Sequence, residues 1–177
     1  GLFGGSFDPA HEGHAHVAET ALKRLGLDRV WWLVSPQNPL KPKSSPLAER
    51  TASARAQAHG ARMVVTDLEQ QLGCAFTYQT LRALKRLYPG VAFTLIMGAD
   101  NLASFRKWRN WREVAEAVPV VIVSRHGARA AHRLSAPRGW RYLNARLHRE
   151  SSTAIRSGRR APIADARVFL LLNRIEM

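Results

Sequence analysis

The segment Gly4-Gly5-Ser6-Phe7-Asp8-Pro9-Ala10-His11-Glu12-Gly13-His14 leads from a short apolar run through a glycine pair and a turn into an amphipathic stretch. Glycine carries no side chain, so main-chain amides in such a turn can approach an anion closely. A helix start adds unpaired N–H groups and a partial positive charge. His11 and His14 are three apart and share a face if both lie in the first helical turn, whereas His16 points elsewhere. Two imidazoles at such a place can donate to phosphoryl oxygens. The segment is neither the phosphate loop G-x-x-x-x-G-K-[ST] nor the dinucleotide motif G-x-G-x-x-G. Its histidine spacing is three where the zinc motif needs four, so no metal site is read here. A glycine-rich turn with incidental histidines accounts for the same residues without chemistry.

A second segment, Ser151-Ser152-Thr153-Ala154-Ile155-Arg156, opens an expected short helix with three small hydroxyl residues and places an arginine one turn in. Serine and threonine are good N-caps, and a simple cap would explain them. Hydroxyls, helix-start amides and a guanidinium converging on one volume also suit the terminal phosphates of a nucleoside triphosphate. No Ser-His-Asp or Cys-His pattern is recognisable, so nothing points to a protein nucleophile.

The elements that must position these residues alternate in type. Short, nearly continuous apolar runs at Leu2–Gly4, Arg29–Val34, Met63–Thr66, Ala92–Met97 and Val120–Ser124, with a weaker one at Trp140–Leu143, read as strands covered on both faces. Helices are expected at Gly13–Leu25, Leu47–His59, Thr77–Tyr88, Trp111–Ala117 and Ser152–Gly158. The run Val168–Leu172 fits strand or buried helix. Such alternation predicts an α/β fold with a Rossmann-like, doubly wound parallel sheet. Ligands bind such sheets at the carboxyl edge. The polar and glycine-bearing segments Gly4–His14, Ser35–Lys43, Gly98–Asn101 and Ser124–Gly127 all follow strands. One domain over residues 1–177 is expected, its last part (about 150–177) a helical subregion.

Composition bounds the partners. The chain has 177 residues, is 46% hydrophobic, and has no apolar run near the ~18 residues of a transmembrane helix. It shows no secretory leader, and a few residues are expected upstream of Gly1. The lone Cys74 removes disulfide scaffolds and cysteine-rich metal sites and accords with a reducing, cytoplasmic location. The formal charge is +14: residues 1–88 carry 11 basic and 7 acidic groups, and residues 89–177 carry 16 and 6. A basic half suggests polyanionic partners. Because 22 of the 27 basic residues are arginine, a coding bias with a solvated basic surface explains the charge equally well. A nucleic-acid-binding domain would need aromatics in a basic stripe, and Trp31, Trp32, Trp108, Trp111 and Trp140 do not form one. No nucleic-acid or membrane partner is expected, and the sequence carries no signal of oligomeric state.

Taken together, the segments Gly5–His14 and Ser151–Arg156 resemble the nucleotidyltransferase superfamily with the HxGH signature. Between them, Ser35–Pro42, Phe76–Leu81 and Gly98–Asn101 with Phe105, Trp108 and Trp111 resemble the bacterial nicotinate mononucleotide adenylyltransferases of NAD biosynthesis. The resemblance runs from residue 2 to about 158. It implies adenylyl transfer from ATP to nicotinate mononucleotide, giving deamido-NAD and pyrophosphate, with Mg²⁺ riding on the ATP. It implies catalytic roles for His11, His14, Lys41 and Arg156, and ATP contacts from Gly5, Ser6, Phe7, His11, His14, Ser151, Ser152 and Arg156. The mononucleotide would meet Asp8, Thr77, Tyr78, Gly98, Asp100 and Trp108. By chemistry alone Trp111 is an equal candidate to stack on the pyridine, and Asp100 is equally an N-cap of the helix after strand four. The amide mononucleotide, or another phosphate acceptor, is the alternative substrate. Glu150 stands where the family usually has an aliphatic residue, the Arg125–Arg149 stretch is short and basic, and Ala161–Met177 does not match the usual tail.

Overall fold

The structure is a computed structural model that describes residues 1–36, 44–124 and 139–145. Six strands form one sheet: β1 (Leu2–Gly5), β2 (Val30–Val34), β3 (Met63–Thr66), β4 (Leu95–Gly98), β5 (Val120–Ser124) and β6 (Arg141–Asn144). Their order is β3-β2-β1-β4-β5-β6, and every pairing is parallel. The direction of winding reverses between β1 and β4, which opens a crevice at the carboxyl edge of those strands.

Helices α1 (Glu12–Arg24), α2 (Leu47–Gln57), α3 (Leu68–Gln71), α4 (Thr77–Leu87), α5 (Ala99–Phe105) and α6 (Trp111–Ala117) complete the described residues. The strands alternate which face each side chain enters. Phe3, Trp32, Ile96, Val121 and Val123 pack with Val17, Ala18, Ala21 and Leu22 of α1 and Ala54 of α2. Leu2, Leu33, Leu95, Met97 and Ile122 pack on the other face with Leu81 and Leu84 of α4, Leu102 and Phe105 of α5, and Val114 of α6. Two cores on one sheet explain why the strands read as continuous apolar runs.

The expected doubly wound sheet is present, with shifts at element ends. The expected strand over Ala92–Met97 starts later, at Leu95, because Leu95 faces Leu2 and Val120, the first residues of its two neighbours. Residues 92–94 therefore have no strand beside them to complete a ladder. Helix α1 begins at Glu12, one residue earlier than expected, since His11 caps it. The expected helix over Ser152–Gly158 lies outside the described residues. Among those described, no helix is long and apolar enough to cross a membrane.

Candidate active site

A cleft of about 670 Å³ opens over the ends of β1 and β4. That lies within the ~300–1,000 Å³ usual for small-molecule sites. Its floor is Gly4 and Gly5. Gly4 is exposed although it sits in the middle strand of the sheet, and a Cβ there would meet nothing within 4 Å. Gly5 has a different constraint: a Cβ would come within 3.1 Å of the Phe7 ring.

Phe7 fixes the turn that follows. It is 2% exposed, adopts a positive φ of 48°, and packs against Phe3, Trp32 and His14 at centroid separations of 5.4, 5.1 and 5.1 Å. The large ring is buried where the backbone reverses, and the chain is thereby delivered to the start of α1.

There His11 and His14 form a reciprocal cap. The Gly13 N–H donates to His11 Nδ1 at 3.1 Å, and the His11 N–H donates to His14 Nδ1 at 3.3 Å. A ring nitrogen that accepts carries no proton, so each neutral imidazole holds its proton on Nε2. The rings lie 3.9 Å apart, and both line the cleft. Two cap bonds thus select the tautomer that offers N–H groups to an anion.

The opposite wall comes from α4 and the turn after α5. The Phe76 and Ala75 N–H groups donate to Gln79 Oε1 at 3.1 and 3.0 Å. This leaves the first-turn amides of Thr77 and Tyr78 without a donor role toward any described residue. Trp108 lines the cleft between Lys107 and Arg109, and the Arg109 guanidinium lies 5.2 Å from the Phe76 ring centroid. Trp111 does not line the cleft; it packs edge-on to Phe105 and under Arg112. Geometry thus separates two tryptophans that chemistry left equal. Gly98 caps α5, with Asp100 one turn-position inside the helix and its Oδ1 folded back toward Gly98. Asp100 is therefore a first-turn residue of α5, and the cap is Gly98.

Of the residues singled out from sequence, Gly5, Ser6, Phe7, His11, His14, Thr77, Gly98, Asp100 and Trp108 line this one cleft. Asp8 and Tyr78 do not. The Ser45 N–H donates to Asp8 Oδ2 at 3.3 Å, and Tyr78 stacks beside Phe76 with Arg82 over its ring. Lys41, Ser151, Ser152 and Arg156 lie outside the described residues.

Glu69 was not singled out, yet it lines the cleft and is 8% exposed. The Thr80 hydroxyl donates to its Oε1 at 2.9 Å. Burial pushes the carboxyl up from its ordinary range, and hydrogen bonds from Thr80 and Ser35 offset part of that. The only sequence signal was the pair of acidic residues, Asp67 and Glu69, directly after β3. Lys107 and Arg109 had a clearer one, flanking an aromatic in the turn after α5.

A parallel sheet of this order, with a glycine turn and a capped histidine pair at its switch point, defines an α/β nucleotide-handling fold. The cytidylyltransferase-like family matches residues 2–158, and the chain belongs to that family. A relative from Caulobacter sp. (strain K31), named "Probable nicotinate-nucleotide adenylyltransferase", is 54% identical, covering 92% of this chain and 86% of its own. One from Roseobacter denitrificans with the same name is 47% identical, covering 89% and 90%. Among solved structures, the Plasmodium falciparum nicotinic acid mononucleotide adenylyltransferase complexed with NaAD superposes with a TM-score of 0.70 at 18% identity, covering 88% of this chain and 81% of that one. At that identity the likeness speaks for the fold.

Proposed function

We propose that this chain is an enzyme that transfers the adenylyl group of ATP to nicotinate mononucleotide, forming deamido-NAD and pyrophosphate in NAD biosynthesis. The observation that carries the reading is the single cleft joining the His11–His14 pair to the Thr77 amide and Trp108. The names of relatives sharing about half their residues support the same reaction.

In this reading an oxygen of the mononucleotide phosphate attacks the ATP α-phosphorus in line. The new P–O bond forms as the bond to the β-phosphate oxygen breaks, and pyrophosphate leaves. The attacking phosphate is already an anion, so catalysis is positioning and charge stabilisation. His11 and His14 donate to the phosphoryl oxygens from Nε2. Gly5, Ser6 and Phe7 form the main-chain floor beneath ATP. Lys41 neutralises the reacting phosphates, and Ser151, Ser152 and Arg156 hold the β- and γ-phosphates. The acceptor ring stacks on Trp108 and its carboxylate meets the Thr77 and Tyr78 amides, with Gly98 and Asp100 beside its ribose. Asp8 serves the mononucleotide only through the turn it braces.

The nucleotide brings its metal with it as MgATP. Among the described residues no three His, Cys, Asp or Glu side chains gather as a metal site. In this reading Mg²⁺ is held by phosphate oxygens and water.

The test is a pyrophosphate-release assay with MgATP and a panel of acceptors. The expected result is a clear kcat/KM preference for nicotinate over nicotinamide mononucleotide, because charge-assisted bonds are about twice as strong as neutral ones. Equal or better use of the amide would reassign the acceptor. No release with either would remove the activity.

A further inference from the structure

Helix α2 buries Arg50 to 2% exposure in a segment otherwise made largely of small and polar residues. Arginine is almost never fully buried unless paired. Among the described residues no carboxylate makes an ion pair with it. Burial lowers its pKa from the ordinary arginine range, and the nearby charge of Asp8 opposes that shift.

Its donors go instead to main-chain carbonyls. Nε donates to Ser45 O at 2.8 Å, Nη1 to Ser6 O at 2.9 Å and Ser35 O at 2.7 Å, and Nη2 to Pro36 O at 2.7 Å. One planar fork therefore gathers carbonyls from the turn after β1, the end of β2 and the entry to α2. Ser6, Phe7 and Ser35 line the cleft and Arg50 does not, so the guanidinium stands behind the turn.

A trans peptide unit is planar, and its C=O and the next N–H point in opposite directions. Anchoring Ser6 O on Arg50 therefore turns the Phe7 N–H the other way, toward the cleft side. That N–H makes no hydrogen bond to any described residue. The same anchor draws carbonyl oxygens, which would repel phosphate, to the back of the turn.

We propose that Arg50 is a positioning residue for adenylyl transfer, aiming the Phe7 N–H at a phosphoryl oxygen by holding the Ser6 and Ser35 carbonyls behind the turn. The proposal rests on the reaction read above. Lysine at this position keeps the charge but offers a point donor that cannot span four carbonyls.

Arg50→Lys, assayed well below its measured Tm, is expected to lose about 10²-fold in kcat, the scale of a misplaced reacting group. The KM for the mononucleotide should stay within about twofold, because that substrate binds the other wall. A folded Arg50→Lys with wild-type kcat overturns the proposal. So does a loss confined to KM for both substrates, which would mean general loosening of the site. A second measurement needs no variant. In ¹⁵N-labelled wild-type protein, the Phe7 amide proton is expected to move downfield on adding pyrophosphate. An unmoved Phe7 amide at saturating pyrophosphate also overturns it. A wild-type chain inactive with nicotinate mononucleotide but showing the Phe7 shift would sink the substrate reading and leave the aimed N–H standing.

Discussion

His11 and His14 each commit one ring nitrogen to the cap of α1. Nδ1 closes the cap of α1, and Nε2 carries the proton beside the cleft. Substitution can separate the two at His14. Asparagine reaches about as far as Nδ1 and can keep the bond from the His11 N–H. Glutamine reaches as far as Nε2 and keeps a donor there, but loses the cap. His14→Asn is therefore expected to hold its Tm near wild type while kcat falls by ~10²–10³, the cost of a missing oxyanion donor. His14→Gln should retain more turnover and lose stability by about 0.5–2 kcal/mol, the range for a lost cap. Thermal melts and pyrophosphate release on the pair check this; matched losses in both properties for both variants would show that the ring acts only as a cap. The pair was legible in the sequence because three-residue spacing after a glycine turn has few structural meanings. The tautomer was not, since it depends on where the Gly13 and His11 amides point. Arg50 was illegible for a similar reason: an arginine in an Ala-rich helix reads as surface until its carbonyl partners are seen.

At the scale of elements, the strands were legible as short, nearly continuous apolar runs, and the long helices because each repeats its period several times. The four-residue α3 was not, being too short to show any periodicity, and with it went Glu69. This helix joins the end of β3 to the cleft, and Glu69 ties it to α4 through Thr80. A glutamate ordinarily titrates near ~4.3. Burial raises the folded value, so above that ordinary pH the unfolded chain has released a proton that the folded chain still holds. Stability is then lost as pH rises from the ordinary value through the raised one. Glu69→Gln removes this dependence and keeps an Oε1 acceptor for Thr80. The Tm of Glu69→Gln relative to wild type is expected to climb with pH from about 4 upward, then level off once the folded carboxyl has ionised. Scanning melts at stepped pH and fixed ionic strength read this directly. A gap that stays flat or narrows with pH would mean that Glu69 ionises in the fold at no cost.

The whole molecule carries +14 over 177 residues, and both proposed substrates are anions. Sequence alone left that charge divided between a coding bias and a functional field. The structure adds that Lys107 and Arg109 line the cleft on either side of Trp108, which puts basic charge on its wall. A field summed over a whole domain raises the local concentration of an oppositely charged ligand and speeds its capture. Its reach is the Debye length, about 30 Å at 0.01 M salt and about 10 Å at 0.1 M. Over that range the field shrinks from the span of the domain to that of the cleft. Two effects should follow together as NaCl is raised at constant MgCl₂. The kcat/KM for each substrate falls while kcat holds, because capture slows and the positioned chemistry does not change. The Tm rises, because like charges repel in the folded state and salt screens that repulsion. A stopped-flow or initial-rate salt series, paired with melts in the same buffers, tests both. If kcat/KM stays flat while Tm rises, the excess arginine only burdens the folded state, and coding bias becomes the better account of the charge.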